Sequence, residues 1–386
     1  MRAVEDVRMT LNYILDSGCI KYGDMPAIGM AMQTPLTYDE FRDRVYALAL
    51  QMMDEGVKKG DHIAILAENS HNWGTVYLAS VRIGAIVVPI LPDLPEGDVH
   101  HILNQMRVKF LFTTQRQVEK IYELNEKVLS PIITLDDFEA MPGILESRKF
   151  SDFLRAAETL LQGKEDDFPE FPEVSEDDLA TILYTSGTSG YSKAVMLSHK
   201  NLTSDAYSAS TLAEIAPGSV FLSILPISHT YEFTCSFLLP LVLGCRIAYA
   251  GKTPTPAILQ RLCSHEKPHV IFAVPLVLEK IYKKRVLPKI EKSFFLTMLC
   301  KTRLGKKVIY KKIGRTLLEF FGGNLIFMGI GGAALNPDVE QFLVDSQFPY
   351  LIGYGLTEGS PLIAGGPLGD PSIVPCSTGK PIPGVE

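Results

Sequence analysis

Short apolar runs alternate along this chain with helical patterns and turns, and that rhythm restricts the possible folds more than any other feature. Thr37 and Glu40 stand at capping-box spacing, and Phe41, Val45, Leu48 and Met52 recur every three or four residues, which predicts a helix closed by Gly56. Residues 57–61 read as a turn, 63–66 as a buried parallel strand, 72–83 as a second helix ending near Gly84, and 85–90 as the next strand. A second series of candidate strands lies at 181–184, 220–225, 246–249 and 269–274. Strand, helix, strand in this order is an α/β chain. At 386 residues it is too long for one small module. Between the two series, residues 165–178 (EDDFPEFPEVSEDD) carry eight acids and two prolines, which predicts a solvated connector.

Composition excludes several classes. With 46% hydrophobic and 21% charged residues the chain is neither disordered nor collagen-like, and a net charge of −7 gives no global attraction to nucleic-acid phosphate. The six cysteines, Cys19, Cys235, Cys245, Cys263, Cys300 and Cys376, form no C-x-x-C pair and read as buried thiols in a reducing, cytoplasmic setting. No stretch approaches the ~20 apolar residues of a membrane span, and the first residues lack a secretory signal's apolar run. Residues 280–315 are rich in Lys and Arg interleaved with Phe294, Phe295, Leu296 and Met298. An amphipathic helix pair with a solvated face is the simpler reading, with peripheral membrane or other anionic contact as the alternative.

Three segments carry chemistry. In Tyr184-Thr185-Ser186-Gly187-Thr188-Ser189-Gly190-Tyr191-Ser192-Lys193, nearly every residue after Tyr184 is Gly, Ser or Thr, and a lysine closes the run. Main-chain N–H groups, hydroxyls and a cation brought to one point suit a polyphosphate. Lys193 stands three residues past Gly190, so this is not a Walker A loop. Gly329-Ile330-Gly331-Gly332-Ala333-Ala334 matches G-x-G-x-x-A, but Asn336-Pro337 places the next helix start too late for a dinucleotide fold. The cluster reads instead as close backbone approach to a flat ligand, ahead of a nicotinamide site. In Gly353-Tyr354-Gly355-Leu356-Thr357-Glu358-Gly359, glycines are expected to let the chain turn sharply and expose an aromatic face for a base, a hydroxyl for phosphate and a carboxylate for Mg2+.

Together these segments resemble the adenylate-forming superfamily of acyl-CoA synthetases, acyl-adenylating ligases, peptide-synthetase adenylation domains and luciferases. The chain departs from the family's usual phosphate loop at Ser189, Ser192 and Ala194, where the family has Thr, Pro and Gly. Leu225-Pro226-Ile227-Ser228-His229-Thr230-Tyr231-Glu232 is similar to the carboxylate-site segment of the long-chain fatty acyl-CoA synthetases, and Thr378 to Glu386 to the family's entry into a small barrel.

The resemblance implies two stacked α/β subdomains with mixed, largely parallel sheets, at 1–178 and 179–330, and a nucleotide-site strip with the start of a small β-barrel subdomain at 331–386. It also implies a reaction: a carboxylate, here a medium or long fatty acid, attacks ATP to give acyl-AMP, and CoA then displaces AMP. Loading of a carrier protein and nucleotide binding without turnover are the alternatives. Carried over residue by residue, Thr185, Ser186, Gly187, Thr188, Ser189, Gly190 and Lys193 would hold the outer phosphates, and Thr185 and Glu358 would hold Mg2+. Thr357 would meet the α-phosphate, while Gly332, Ala333, Ala334, Tyr354 and Gly355 would meet the adenosine. His229, Tyr231 and Phe233 would meet the acyl group, and Lys193, His229, Thr357 and Glu358 would carry the catalysis. In the family such a sequence continues into a ribose-binding Asp, a hinge and a mobile C-terminal domain with a catalytic Lys. None follows Glu386, so the expectation is a large N-terminal domain alone, inactive or impaired by itself.

Overall fold

The computed structural model describes residues 7–124, 131–139, 146–162, 170–185, 193–291, 298 and 302–385. Two sheets organise them. One has seven strands in the spatial order Ser147–Lys149, Ile132–Thr134, Phe110–Thr113, His62–Leu66, Ile86–Ile90, Leu179–Thr185, Lys193–Ser198, all parallel except the last pair. The other has nine, in the order Lys380–Pro381, Leu362–Gly365, Tyr350–Gly355, Phe327–Ile330, Val270–Ala273, Val220–Ser223, Arg246–Tyr249, Pro26–Met30, Leu36–Thr37. Its five central pairings, from Tyr350–Gly355 to Pro26–Met30, are parallel. Its two ends are antiparallel.

Strand alternation builds the layers. Ile63 and Ile65 face one core with Val87, Phe110 and Phe112, whereas Ala64 and Leu66 face another with Ile102, Leu103 and Val118. The first core also takes Ile28, Ile247 and Tyr249 of the nine-stranded sheet and Phe41, Trp73, Tyr77 and Phe237 from helices. One layer of helices is therefore shared by both sheets, and each sheet carries further helices on its outer face.

The helix expected after Leu36 is Tyr38–Asp54, with both halves of the Thr37/Glu40 capping box formed. His71–Arg82 and the strands at 62–66, 86–90, 220–223, 246–249 and 270–273 fall where the pattern places them. Sheet membership does not follow the 178/179 boundary. Pro26–Met30 pairs with Arg246–Tyr249 in the nine-stranded sheet, while Leu179–Thr185 and Lys193–Ser198 complete the seven-stranded one. The described part of the acidic connector is also not simply solvated. Lys59 Nζ donates to Asp178 (2.5 Å) and to the Glu173 carbonyl (3.0 Å), Glu176 accepts from the Met9 N–H (2.7 Å), and Phe171 packs edge-on against Tyr46. One opposite charge, Lys59, and a backbone donor brought in from distant sequence offset part of the local repulsion that the run suggests. In the segment expected to open a barrel, Thr378 to Glu386, the strand Lys380–Pro381 pairs with Leu362–Gly365 and extends the nine-stranded sheet. No closed barrel forms among the described residues.

Candidate active site

A cavity of about 300 Å3 opens at the carboxyl ends of the strands, lined by Thr185, His229, Tyr231, Gly331, Gly332, Gly353 to Glu358, Pro361 and Leu362. Ligands of open α/β sheets bind at such strand ends, where consecutive crossovers leave a crevice. Thr185, His229, Tyr231, Gly332, Tyr354, Gly355, Thr357 and Glu358, all named from the sequence, thus line one cavity. Lys193 is exposed and sits opposite Thr185 in the antiparallel pair. Ser186, Gly187, Thr188, Ser189 and Gly190 lie outside the described residues. Ala333 and Ala334 are exposed just beyond Gly332 and do not line the cavity. Phe233 is not on its wall either. Its ring packs 4.5 Å from Tyr77 and 6.1 Å from Trp73, centroid to centroid, because the helical turn after His229 directs it into the shared core.

The glycines have structural causes that sequence does not show. The strand Tyr350–Gly355 passes through Gly353 and ends at Gly355 after a register shift, and the turn comes afterwards, at Thr357–Gly359. A Cβ on Gly355 would lie 1.9 Å from the Pro361 carbonyl oxygen, so this glycine admits the returning chain rather than making the turn. A Cβ on Gly329 would meet the Phe272 ring at 2.3 Å, and one on Gly331 the Tyr231 ring at 3.0 Å. Two of the glycines read as ligand-facing thus make room for the protein's own aromatics. Gly332, at φ +82°, does face the cavity. The helix after this cluster begins at Pro337 with Asn336 as its N-cap, so no helix N-terminus meets the glycines, as the Asn-Pro signal predicts.

His229 caps the next helical turn, its Nδ1 accepting from the Tyr231 N–H (3.2 Å). That bond puts the neutral ring's proton on Nε2. The ring is open to the cavity, yet desolvation by the surrounding protein lowers its pKa and favours the neutral form. His229 is thus set up as a neutral hydrogen-bond donor. The turn opposite is tied down by the Leu356 N–H to the Pro361 carbonyl (2.9 Å) and the Thr234 hydroxyl to the Ser360 carbonyl (2.7 Å). Buried Asp205 accepts from the Leu362 N–H (3.2 Å), and desolvation pushes its pKa up to about 7.

Sequence reasoning missed the residues that hold the loop leading to His229. Glu232 is fully buried and accepts from the Ser223 hydroxyl (2.7 Å) and from the N–H groups of Ile224 (3.1 Å) and Leu225 (3.3 Å). Asn69 donates to Ser223 Oγ (3.0 Å) and the Leu225 carbonyl (2.6 Å) and accepts from the Ile227 N–H (2.9 Å). Two side chains 163 positions apart therefore satisfy the backbone of one loop. The signal for Asn69 was its place just past the carboxyl end of His62–Leu66; Glu232 stood within a motif but was given no role.

Beneath the cavity, sharing Tyr231, Gly353 and Leu362 with it, lies an apolar pocket lined by Leu212, Cys235, Leu239, Phe272 and Leu351 among others. Its free volume is about 30 Å3, one water's share of liquid volume.

The sequence profile of AMP-binding enzymes matches residues 16–386. The chain belongs to the AMP-binding enzyme family. Among curated relatives it is 30% identical over 295 residues to the long-chain-fatty-acid–CoA ligase heimdall of Drosophila melanogaster, an alignment covering 72% of this chain and 43% of that protein. It is 30% identical over 241 residues to the putative acyl–CoA ligase YdaB of Bacillus subtilis, covering 62% and 45%. The chain thus spans about half the length of the curated relatives it matches. Among solved structures, the anthranilate CoA ligase AuaEII in complex with anthranoyl-AMP superposes with a TM-score of 0.75 at 18% identity, covering 98% of this chain and 64% of that one. The Klebsiella oxytoca NpsA N-terminal subdomain superposes with 0.71 at 19%, covering 99% and 81%. At these identities the superpositions establish the shared fold: two mixed, largely parallel sheets with their helices.

Proposed function

We propose that this cavity binds ATP and a fatty acid and supports their condensation to acyl-AMP and pyrophosphate, the acyl group then passing to CoA. The observation that carries the reading is the convergence of Thr185, His229, Gly332, Tyr354, Thr357 and Glu358 on one cavity from segments far apart in sequence. The half-exposed Tyr354 ring and the backbone at Gly332 offer a face and a close approach for adenine. In this reading Thr357 meets the α-phosphate and Lys193 the outer ones, and the hydroxyl- and glycine-rich sequence of Ser186 to Gly190 suits the same outer phosphates. The neutral Nε2–H of His229 can hold a carboxylate oxygen without protonating it, leaving the other oxygen nucleophilic. Such a site works by positioning and charge neutralisation.

Among the described residues no three His, Cys, Asp or Glu side chains cluster as a metal cage. Mg2+ on a nucleotide needs only one or two protein oxygens besides phosphate, and Glu358 with Thr185, both on the cavity wall, would supply them. Bound there, the ion would neutralise phosphate charge.

The apolar pocket below Tyr231 is where an alkyl chain would go. Its small free volume means that any chain beyond a short one must displace side chains such as Phe272 or Leu212. Isothermal calorimetry tests the reading. Mg·ATP and AMP should bind at millimolar concentration or below, and with nucleotide present fatty acids should tighten about fourfold per methylene until the pocket ends, from ~0.8 kcal/mol per CH2. No nucleotide binding to the folded chain at millimolar ATP would overturn the assignment. Tighter binding of acetate or an aromatic acid than of every fatty acid tested would overturn the acid class alone.

A further inference from the structure

Residues 280–315 hold thirteen Lys and Arg and a single acid, Glu291, in a chain whose net charge is −7. The structure describes the side chains of eight of these cations. Pro275–Ile281, Tyr282–Val286 and Leu287–Glu291 form one helical run, and Arg303–Phe320 a second. Both rest on Phe342: the ring of Tyr282 lies 5.1 Å and that of Tyr310 5.2 Å from it, centroid to centroid. Their inner faces, including Leu278, Ile281, Val286, Leu317 and Phe320, fill the core on the outer side of the nine-stranded sheet.

The outer faces follow one formula. Among the described side chains of the first run, the exposed ones are Leu276, Lys280, Lys283 and Lys284. In Arg303–Phe320 they are Lys307, Val308, Lys311, Lys312, Arg315, Thr316 and Glu319. Each helix thus presents one aliphatic side chain, Leu276 at 53% and Val308 at 70% exposure, followed within two turns by three cations. Met298, between the helices in sequence, is 63% exposed. The acids near this face include Glu279, partly buried, exposed Asp338 in reach of Tyr282, Glu319 at its far end, and Asp345, already paired with Lys306 at 3.0 Å. Among the described residues none of Lys280, Lys283, Lys284, Lys307, Lys311, Lys312 and Arg315 has an acidic partner within ion-pair distance.

We infer that this helix pair is a docking surface for an anionic lipid bilayer. Charge complementarity requires an anionic partner. The exposed Leu276, Val308 and Met298 select a bilayer over a nucleic acid, because they gain by entering the headgroup–acyl boundary while the lysines reach lipid phosphates and cover apolar surface with their stems. A purely solvated face gains nothing from exposed aliphatics. The surface is distinct from the cavity, so the inference stands whether or not the acid proposed above is the substrate.

Vesicle co-sedimentation tests it directly. The chain should pellet with vesicles of phosphatidylcholine mixed with phosphatidylglycerol and stay in solution with phosphatidylcholine alone, and added salt should release it. Lys311→Gln, Lys312→Gln and Arg315→Gln combined should weaken binding about a hundredfold, from about fivefold per cation. Leu276→Ser with Val308→Ser should weaken it further at a fixed charge. All five side chains are exposed, and an unchanged circular dichroism spectrum confirms folding. Lys21→Gln with Lys109→Gln, exposed lysines elsewhere, should leave binding intact. Several results would overturn the inference: no preference for the anionic vesicles, no loss in the triple variant, equal loss in the control pair, or retention on RNA with none on vesicles.

Discussion

Replacing Gly355 with alanine tests whether the site depends on the close crossing of two strands. The added Cβ would sit 1.9 Å from the Pro361 carbonyl oxygen, where ordinary contact begins at 3.4 Å, so the backbones must separate by about 1.5 Å. Both atoms belong to main chain or are fixed to it, and no rotamer change relieves the clash. That displacement breaks the 2.9 Å bond from the Leu356 N–H to the Pro361 carbonyl, worth about 1 kcal/mol, and adds about 1–3 kcal/mol of overpacking. Gly355→Ala should therefore lose about 2–4 kcal/mol in urea unfolding followed by circular dichroism. The same shift carries Thr357 and Glu358 away from the cavity, so Mg·ATP should bind about tenfold or more weakly by calorimetry, equivalent to about 1.4 kcal/mol. Gly353→Ala is the internal comparison. Its Cβ would meet only the Leu362 Cδ1 methyl at 3.2 Å, a side-chain end that can rotate, and should cost less than ~1 kcal/mol. If Gly355→Ala matches wild type in stability and in nucleotide affinity, the crossing does not organise the site and the argument fails.

Other expectations follow from the same contacts. Burial lowers the pKa of His199 to about 4, and its Nδ1 accepts from the Leu11 N–H. The folded state then binds fewer protons than the unfolded one between about pH 6.5 and 4. This contribution is full above that window and is lost as pH falls, by up to about 1.4 kcal/mol per unit. Glu232 and Asp205, raised to about 7, act with the opposite sign, losing stability as pH rises through the window, so the readout is wild type minus His199→Gln; a pH-independent difference would refute the assignment. Lys193→Ala should weaken ATP more than AMP in calorimetry, and equal weakening would remove Lys193 from the outer phosphates. Desolvation holds the thiols of Cys19, Cys245 and Cys263 up at about 12 and raises that of Cys235 well above its ordinary value, whereas Cys376 is exposed. Mass-mapped alkylation of the native chain should therefore modify Cys376 ahead of these four, and modification of Cys235 at the same rate would contradict its burial.

Local pattern was enough for the elements of this protein. The capping box at Thr37 and Glu40, the Asn336-Pro337 helix start and the apolar strands are decided by interactions within a few residues, which any reader of the sequence can count. The residues that meet at the cavity could also be picked out, because Thr185, Thr357 and Glu358 lie in runs rich in glycine and hydroxyls and His229 lies in a segment that resembles the family's carboxylate site. Tertiary structure decided what depends on distant partners. It paired Pro26–Met30 with the strand Arg246–Tyr249, some 220 residues away, and turned Phe233 into the core beside Trp73. It also joined Asn69 to Glu232 around one loop, and gave Gly329, Gly331 and Gly355 their reason in Phe272, Tyr231 and Pro361. Sequence periodicity records which side of an element is apolar but not which element will cover it, and that choice is made only when the layers close.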